Sequence, residues 1–462
     1  MDARMERFEQ YVTKISSHLG HADRVGPFRG YCAGLMLPGE RKSVEPMAAR
    51  VAPTEVRSAH QRLHHFVADA AWSDAAVLGA VRDHVLQAAA KRAGMPEVLI
   101  IDDTGFPKKG KHSVGVARQY CGQLGKQDNC QVAVSLSLAG EHYSVPVGYR
   151  LYLPKDWSAD LKRRAKAKVP DDIEFATKPV IALGLIDQAL AAGATPGVVV
   201  ADAGYGIDTA FRDQLSQRNL RYTVGVTSVV SVWPDGKAPL PPAAWSGRGR
   251  KPKLLRRDGK HQPVSVEDLA KTLAPRQWKN VTWREGTNQV LTSRFAAVRV
   301  RCAHHDYWSS ELRPQEWLLI EWPTDEAEPI KYFLSTLPAD TPLQELVRVA
   351  KLRWRIERDY QELKQEFGLD HFEGRSWRGF HHHATLCMAA YGFLLAERFT
   401  LPKKTLQQPV LGEIPALPEN FRPRGSPAPP ASRSGFDRNS APRTRRRADR
   451  TSAILPVLRK AC

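Results

Sequence analysis

The sequence contains no long apolar run and no signal-peptide core. The first residues, MDARMERFEQYVTKI, carry charges throughout. The most apolar stretch, residues 179–200, is interrupted by Asp187, Gly193 and Pro196, so we expect a helix followed by a strand there rather than a membrane span. The six cysteines are scattered without a CxxC pair, which argues against a zinc ribbon or a disulfide framework and favours reduced thiols in a cytoplasm.

Familiar motifs of other enzyme classes are also missing. The segment KKGKHSVG lacks the spacing of a phosphate-binding GxxxxGK[ST] loop, and no Gly-x-Ser-x-Gly elbow is present. Residues 381–383 are three consecutive histidines, but neighbouring residues on a helix point in different directions. We therefore expect neither ATP use nor a histidine-bound metal.

Acidic residues are in deficit, with 49 Asp and Glu against 68 Lys and Arg, a net charge of +19. Such an excess attracts polyanions, of which nucleic acid is the commonest, although a solvated basic surface is the alternative. The length of 462 residues indicates two to four structural units. Composition alone thus favours a multi-unit protein that binds DNA or RNA.

Residues 1–95 are expected to be helical and to form either a DNA-binding domain or a plain packing domain. Periodic segments at 43–50 and 55–71 are separated by a Pro-Thr pair, and Ser73 is a suitable N-cap for a further helix through residue 89. No specific helix-turn-helix signature distinguishes the two interpretations.

Residues 96–226 are typical of an α/β domain with a mixed sheet, because strands come first and then alternate with helices. Short apolar runs indicate buried strands, and one of them ends in Asp102-Asp103 and another in Asp202. The expected strands are 98–101, 129–138, 143–153, 197–201 and 222–226, and the expected helices are 178–192 and 208–218.

Residues 227–340 are predicted to form a β-rich insertion, with strands at 281–302, 317–322 and 331–335 and a loop at 234–253. Residues 341–400 are expected to complete the domain with helices at 343–367 and 382–399. The tail, residues 401–462, holds ten prolines and thirteen Lys and Arg against four Asp and Glu. That composition predicts disorder.

Two aspartates at strand ends and a glutamate on a helix suit metal-dependent phosphodiester chemistry, which needs hard oxygen ligands for Mg²⁺. Asp also favours turns, so each strand end has a structural explanation as well. Asp102 competes with Asp103, since neighbouring strand residues point to opposite faces. We favour Asp103 because it opens the turn-like segment 104–107.

The helix predicted at 343–367 places Arg353, Glu357 and Lys364 on one face, spaced by four and by seven residues. This pattern suits a metal ligand beside phosphate-binding cations, but surface ion pairs explain it equally well. Glu362 and Glu366 lie on the same helix, so composition does not choose among the three glutamates.

The same residues resemble the signature of DDE insertion-sequence transposases, Tyr-x2-Arg-x3-Glu-x6-Lys. Arg353, Glu357 and Lys364 match it, whereas Ala350 stands at the Tyr position. The strings IDDTGFPKKGKHSVGVARQYCG, DAGYG and RWRIERDYQELKQEFGLDHFEGRSWRGFHHH are similar to one branch of these enzymes. The resemblance covers roughly residues 95–400.

The resemblance implies a ribonuclease H-like core that contains a β-rich insertion. It implies that Asp103, Asp202 and Glu357 bind two Mg²⁺ or Mn²⁺ ions, that water cuts the DNA at the element's ends, and that the freed 3′-OH attacks target DNA. The cations expected to hold phosphates are Arg353, Lys364, Lys108, Lys109 and Lys111.

By the same resemblance, we expect a homodimer on paired element ends, in the bacterial cytoplasm at the nucleoid and with no membrane association. The alternatives are a nuclease of the same fold that does not rejoin DNA and an inactive transposase-derived DNA-binding protein. A phosphatase with paired aspartates would not need so large a positive charge.

Overall fold

The computed structural model of the protein describes residues 3–194, 197–285 and 290–400. The predicted disordered tail, residues 401–462, lies outside the described residues. The helices are α1 Ala3–Ser16, α2 Val25–Met36, α3 Val44–Val51, α4 Val56–Ala68, α5 Asp74–Ala90, α6 Lys155–Ala159, α7 Leu161–Lys166, α8 Lys178–Ala191, α9 Ala203–Gly206, α10 Thr209–Gln217, α11 Val266–Lys271, α12 Leu343–Lys351, α13 Trp354–Gln365 and α14 Trp377–Arg398.

One mixed sheet of twelve strands runs through the described part of the chain. The strands are β1 Val98–Pro107, β2 Ala117–Cys121, β3 Lys126–Ala139, β4 Ser144–Leu151, β5 Val198–Ala201, β6 Arg221–Val226, β7 Ser231–Pro234, β8 Val264–Ser265, β9 Lys279–Glu285, β10 Val290–Cys302, β11 Glu316–Trp322 and β12 Lys331–Ser335. Their order is β2-β3-β1-β5-β6-β12-β11-β10-β7-β8, with β4 on β3 and β9 on β10. Strands β1, β5 and β6 are parallel neighbours, and the other pairs are antiparallel.

This architecture confirms the predicted α/β class with a mixed sheet. The strands predicted between residues 227 and 340 continue the core sheet, since β12 pairs with β6 through Tyr332 and Val226. The single strand predicted at 281–302 is wrong, because β9 and β10 form an antiparallel hairpin there. Strong β-propensity in both segments made them resemble one continuous strand in the sequence.

The helices of residues 1–95 share one hydrophobic core with α14. The Arg7 guanidinium donates to the Glu397 carboxylate (2.7 and 2.6 Å), and the Tyr11 hydroxyl donates to the Ala389 carbonyl (2.7 Å). The predicted N-cap is confirmed, since Ser73 Oγ accepts from the Ala76 amide at the start of α5. These helices therefore help to hold the C-terminal end of the described chain.

The long helix predicted at 343–367 is wrong, because a tight turn at Leu352 and Arg353 divides it into α12 and α13. The Arg355 amide bonds to the Leu352 carbonyl (3.1 Å) and the Ile356 amide to the Arg353 carbonyl (3.2 Å), so the chain tightens between the two helices. No proline or glycine marks this break. We therefore attribute the position of this break to the packing of α13 against β1 and β3.

Residues 381–383, the three histidines, are buried in α14 and bond to different parts of the core. Their partners are the Trp377 carbonyl and Leu151 amide for His381, the Trp72 carbonyl for His382, and the Tyr31 hydroxyl and Gly368 carbonyl for His383. His382 also stacks on the Trp72 ring, with 3.6 Å between the centroids. The three rings thus join α14 to separate elements.

Acid is expected to unfold the protein through these histidines. Burial lowers the pKa of His381 and His383 to about 4 and that of His382 to about 3. Below an ordinary value of 6.5 these histidines bind protons in the unfolded chain but not in the folded chain, so the stability that they contribute falls from about pH 6.5 to about pH 4. Each histidine should cost about 2 kcal/mol between pH 7 and pH 5.

Urea unfolding at pH 7 and pH 5 measures this loss. His382→Phe should reduce the difference between the two pH values, whereas His18→Gln, at an exposed site, should leave it unchanged. A difference between the two pH values that is the same in His382→Phe as in the wild type would contradict the prediction.

The five cysteines in the described part of the chain, Cys32, Cys121, Cys130, Cys302 and Cys387, are buried and unpaired. No described helix is long and apolar enough to cross a membrane.

Candidate active site

Two neighbouring aspartates, Asp102 and Asp103, lie in the middle of β1. The strand pairs with β3 without interruption as far as Pro107. The turn that we predicted at 104–107 is therefore wrong: long-range pairing with β3 overrides the local turn signal of Thr-Gly-Phe-Pro. The side chain of Asp102 is 13% exposed and that of Asp103 is 28% exposed.

The two aspartates face opposite sides of the sheet. Residues 98–101 alternate, with the even-numbered ones packed under α12 and α13 and the odd-numbered ones in the core that includes α8. The contacts of the aspartates follow this alternation. Arg353 Nη1 donates to Asp102 Oδ2 (3.0 Å), and Lys178 Nζ, at the start of α8, donates to Asp103 Oδ2 (2.8 Å).

Asp202 follows β5, the parallel neighbour of β1. The register pairs Ile101 with Ala201, so Asp102 and Asp202 are the next residues along two adjacent strands. The Asp202 carboxylate accepts from the Gly204 amide (2.9 Å) and caps α9. Two neighbouring strands therefore bring three aspartates to one edge of the parallel segment.

Electrostatics shows that these carboxylates act on one another. Burial raises the pKa of Asp102 to about 8; Arg353 opposes the shift, and Asp202 and Asp103 add to it. Burial also raises the pKa of Asp202, with Arg353 opposing and Asp103 adding. Negative charge concentrated in this way is stabilised by a cation.

Glu357 is connected to this cluster through Arg353. The Arg353 guanidinium bonds both to Asp102 and, by Nη2, to Glu357 Oε1 in the first turn of α13. Glu362 is buried and accepts from Arg358 Nε (3.1 Å), and Glu366 is exposed beyond the end of α13. Of the three glutamates that the sequence left open, Glu357 is the one that Arg353 joins to Asp102.

The donor set suits a hard divalent cation, since Mg²⁺ and Mn²⁺ prefer carboxylate oxygens. Within residues 3–194, 197–285 and 290–400, however, no three Asp, Glu, His or Cys side chains converge closely enough to hold one ion. Arg353 links Asp102 to Glu357, and Lys178 is bonded to Asp103. The carboxylate chemistry of these residues suits such a cation, while their partners hold Asp102 and Asp103 towards opposite faces of the sheet.

Two of the predicted phosphate-binding lysines are bonded to the protein itself. Lys364 Nζ donates to the Gly105 carbonyl (2.8 Å) and to Gln123 Oε1 (3.0 Å), and burial lowers its pKa to about 8. Lys108 Nζ donates to the Phe372 carbonyl (2.9 Å), and burial lowers its pKa as well. Both lysines thus fix the segment that follows Asp103.

Lys109 and Lys111 are exposed in the loop after β1. Lys162 and Lys166 on α7 are exposed too, and the neighbouring Arg163 donates to the Lys111 carbonyl (3.5 Å). The loop and α7 therefore present basic side chains from one region of the surface.

A family model for the DDE superfamily endonucleases matches residues 14–290 of the chain. That span is more than half of the 462 residues. The protein belongs to the DDE superfamily of endonucleases. The matched span contains Asp103 and Asp202 and ends before α13, so the assignment of Glu357 depends on the signature and on the contacts of Arg353.

This DDE endonuclease is also similar to a protein described as a probable transposase for insertion sequence element IS701, from Microchaete diplosiphon. The two are 34% identical over 169 residues, which is 36% of this chain and 41% of the relative. The match thus spans less than half the length of either protein.

Sequence reasoning missed Lys178, the side chain that bonds to Asp103 in this DDE endonuclease. It lies 75 residues from Asp103 and begins a helix that carries no charged pattern of its own. The contact arises because α8 packs on the sheet face opposite α13, and no local signal in the sequence reports that placement.

Gly206 lets α9 pack directly on β6 and so holds Asp202 in place. A Cβ atom at this position would lie 1.9 Å from the Gly225 carbonyl oxygen, a backbone atom that cannot move aside easily. Gly206→Ala is therefore expected to destabilise the protein by about 3 kcal/mol, at the upper end of overpacking effects. Thermal unfolding followed by circular dichroism measures the loss.

Gly184→Ala in α8 is the matched control, because a Cβ there meets no atom within 4 Å. It should stabilise the helix by about 0.5–1 kcal/mol. A Gly206→Ala protein as stable as the wild type would contradict the close packing of α9.

Proposed function

We propose that this DDE endonuclease is an insertion-sequence transposase that cuts DNA at the element's ends and joins the freed 3′-OH to target DNA. We assign Asp103, Asp202 and Glu357 as the ligands of two Mg²⁺ or Mn²⁺ ions. The observation that supports the proposal is the convergence of β1, β5 and α13 around Arg353, which bonds to Asp102 and Glu357 and acts electrostatically on Asp202. The choice of Asp103 as the β1 ligand rests on the family resemblance.

When bound, the two ions activate the attacking oxygen and stabilise the leaving one. The carboxylates of Asp103, Asp202 and Glu357 would hold the two ions. Arg353 and Lys178 leave the carboxylates and bind phosphate oxygens, and the planar guanidinium is suited to bidentate contacts. Lys364 and Lys108 keep β1 and the loop after it in place through backbone carbonyls.

DNA is the partner that this charge distribution favours. The net charge of +19 attracts a polyanion over long range, and the exposed Lys109 and Lys111 lie directly after the strand that carries Asp103. We propose that the enzyme acts as a homodimer on paired ends, in the cytoplasm at the nucleoid.

A strand-transfer assay tests the proposal against a nuclease that does not rejoin DNA. The substrate is a duplex with the source element's terminal sequence already cut to leave a 3′-OH, incubated with a supercoiled target plasmid and Mg²⁺. We expect joined products that disappear when the terminal nucleotide lacks its 3′-OH. Cleavage of uncut ends without any joined product would identify a nuclease instead.

A further inference from the structure

Tyr205 stands out because its hydroxyl is buried without a hydrogen-bond partner in the described part of the chain. The residue lies in α9, three positions after Asp202, and is 2% exposed. A buried polar group left without a partner is unfavourable, and native proteins contain few of them. The hydroxyl is therefore a candidate for a contact that forms only in another state of the protein.

Tyr205 lies near the proposed site, because Asp202 caps α9 and the register places Asp202 beside Asp102 on the neighbouring strand. Burial raises the pKa of the Tyr205 phenol well above its ordinary value, and Asp103, Asp102, Tyr360 and Asp202 raise it further. The hydroxyl consequently keeps its proton and remains a hydrogen-bond donor near three carboxylates.

The backbone around Tyr205 is held firmly. Gly206 packs against the Gly225 carbonyl, and a Cβ at Gly225 would lie 2.9 Å from the Ala203 amide nitrogen. The ring of Tyr205 packs beside that of Phe211, with 5.8 Å between the centroids. Packing of this kind keeps the hydroxyl oxygen at a defined position, which is what a residue that orients another side chain requires.

We propose that Tyr205 is a positioning residue, whose hydroxyl donates a hydrogen bond to the Asp103 carboxylate when a divalent cation replaces Lys178 as the partner of that carboxylate. In this structure the Asp103 carboxylate accepts from Lys178, and the Tyr205 hydroxyl has no acceptor. Hydrogen bonds to ligating carboxylates fix their orientation and raise metal affinity. The inference rests on the proposed function, since it needs Asp103 to bind the cation.

The test is a titration of the full-length protein with Mn²⁺ alone, followed by electron paramagnetic resonance of the free ion. Tyr205→Phe is expected to weaken Mn²⁺ binding about tenfold. Its melting temperature should equal or exceed that of the wild type, because the variant removes a buried group without a partner. Weaker binding together with undiminished stability separates positioning from a structural role.

Tyr149→Phe is the matched control, because Tyr149 also has a buried hydroxyl without a partner in the described chain. It stacks on Phe380 (5.9 Å between centroids), and the charged groups that affect it are Cys387 and Asp370 rather than the site carboxylates. Its Mn²⁺ affinity should match that of the wild type.

Asp202→Asn distinguishes a failure of the proposed metal site from a failure of the proposed role of Tyr205. If Asp202→Asn loses Mn²⁺ binding while Tyr205→Phe binds as the wild type does, the role of Tyr205 is overturned and the metal site stands. If Asp202→Asn binds Mn²⁺ as well as the wild type, both are overturned. Equal weakening in Tyr205→Phe and Tyr149→Phe also overturns the positioning role.

Discussion

Asp202→Asn and Glu357→Gln are each expected to reduce Mg²⁺-dependent cleavage at the element's ends about a thousandfold. Each change removes a negative oxygen ligand, and metal stabilisation of the transition state is worth several kcal/mol, at about 1.4 kcal/mol for each factor of ten. Binding of the same DNA should persist, since the cations that contact phosphates are unchanged in both variants. Single-turnover cleavage and gel-shift assays measure the two quantities separately.

Glu366→Gln is the matched control for Glu357→Gln. Glu366 directly follows the last residue of α13 and is exposed, so its change alters the net charge equally without touching Arg353. We expect cleavage within about twofold of the wild type, because exposed charges interact weakly with a site screened by salt. If Asp202→Asn and Glu357→Gln cut as fast as Glu366→Gln, the carboxylate assignment is wrong.

Asp103→Asn should reduce cleavage about a thousandfold, whereas Asp102→Asn should reduce it only about tenfold. Asp103 is the more exposed of the two, and its partner Lys178 has a flexible side chain that a cation displaces readily. Asp102 is more buried and orients Arg353 through an ion pair that an Asn amide oxygen partly retains.

Asp102→Asn and Asp103→Asn are compared in the same cleavage assay, and their melting temperatures show whether each variant is folded. The reverse order of effects would identify Asp102 as the ligand. That outcome would agree with the strand register, which sets Asp102 beside Asp202 and on the side of Glu357. A thousandfold loss in both variants would mean that ligand and orienting carboxylate are equally required.

Apolar periodicity, a helix-capping residue and short apolar runs in the sequence predicted several of the helices and strands. The helices α3, α4 and α5 follow from apolar periodicity and from the Ser73 cap, and the strands β1 and β5 follow from short apolar runs. Helix α14 begins earlier than the predicted residue 382, because Ser376 accepts from the Gly379 amide and caps it.

Features set by long-range contacts were not predictable from one sequence. The continuation of β1 to Pro107 depends on pairing with β3, and the division at Leu352 depends on how α13 packs on the sheet. Sequence spacing correctly grouped Arg353 with Glu357 but gave no sign that Asp102 is their third partner. The contact between Lys178 and Asp103 is also long-range and was likewise not predictable from the sequence.

The most direct test of the central claim is anomalous diffraction from crystals of the protein bound to a cut element end and grown with Mn²⁺. The account predicts two Mn²⁺ peaks bound by the carboxylates of Asp103, Asp202 and Glu357, with Arg353 moved onto phosphate. The account is contradicted if Arg353 still joins Asp102 to Glu357 and Mn²⁺ binds elsewhere or not at all.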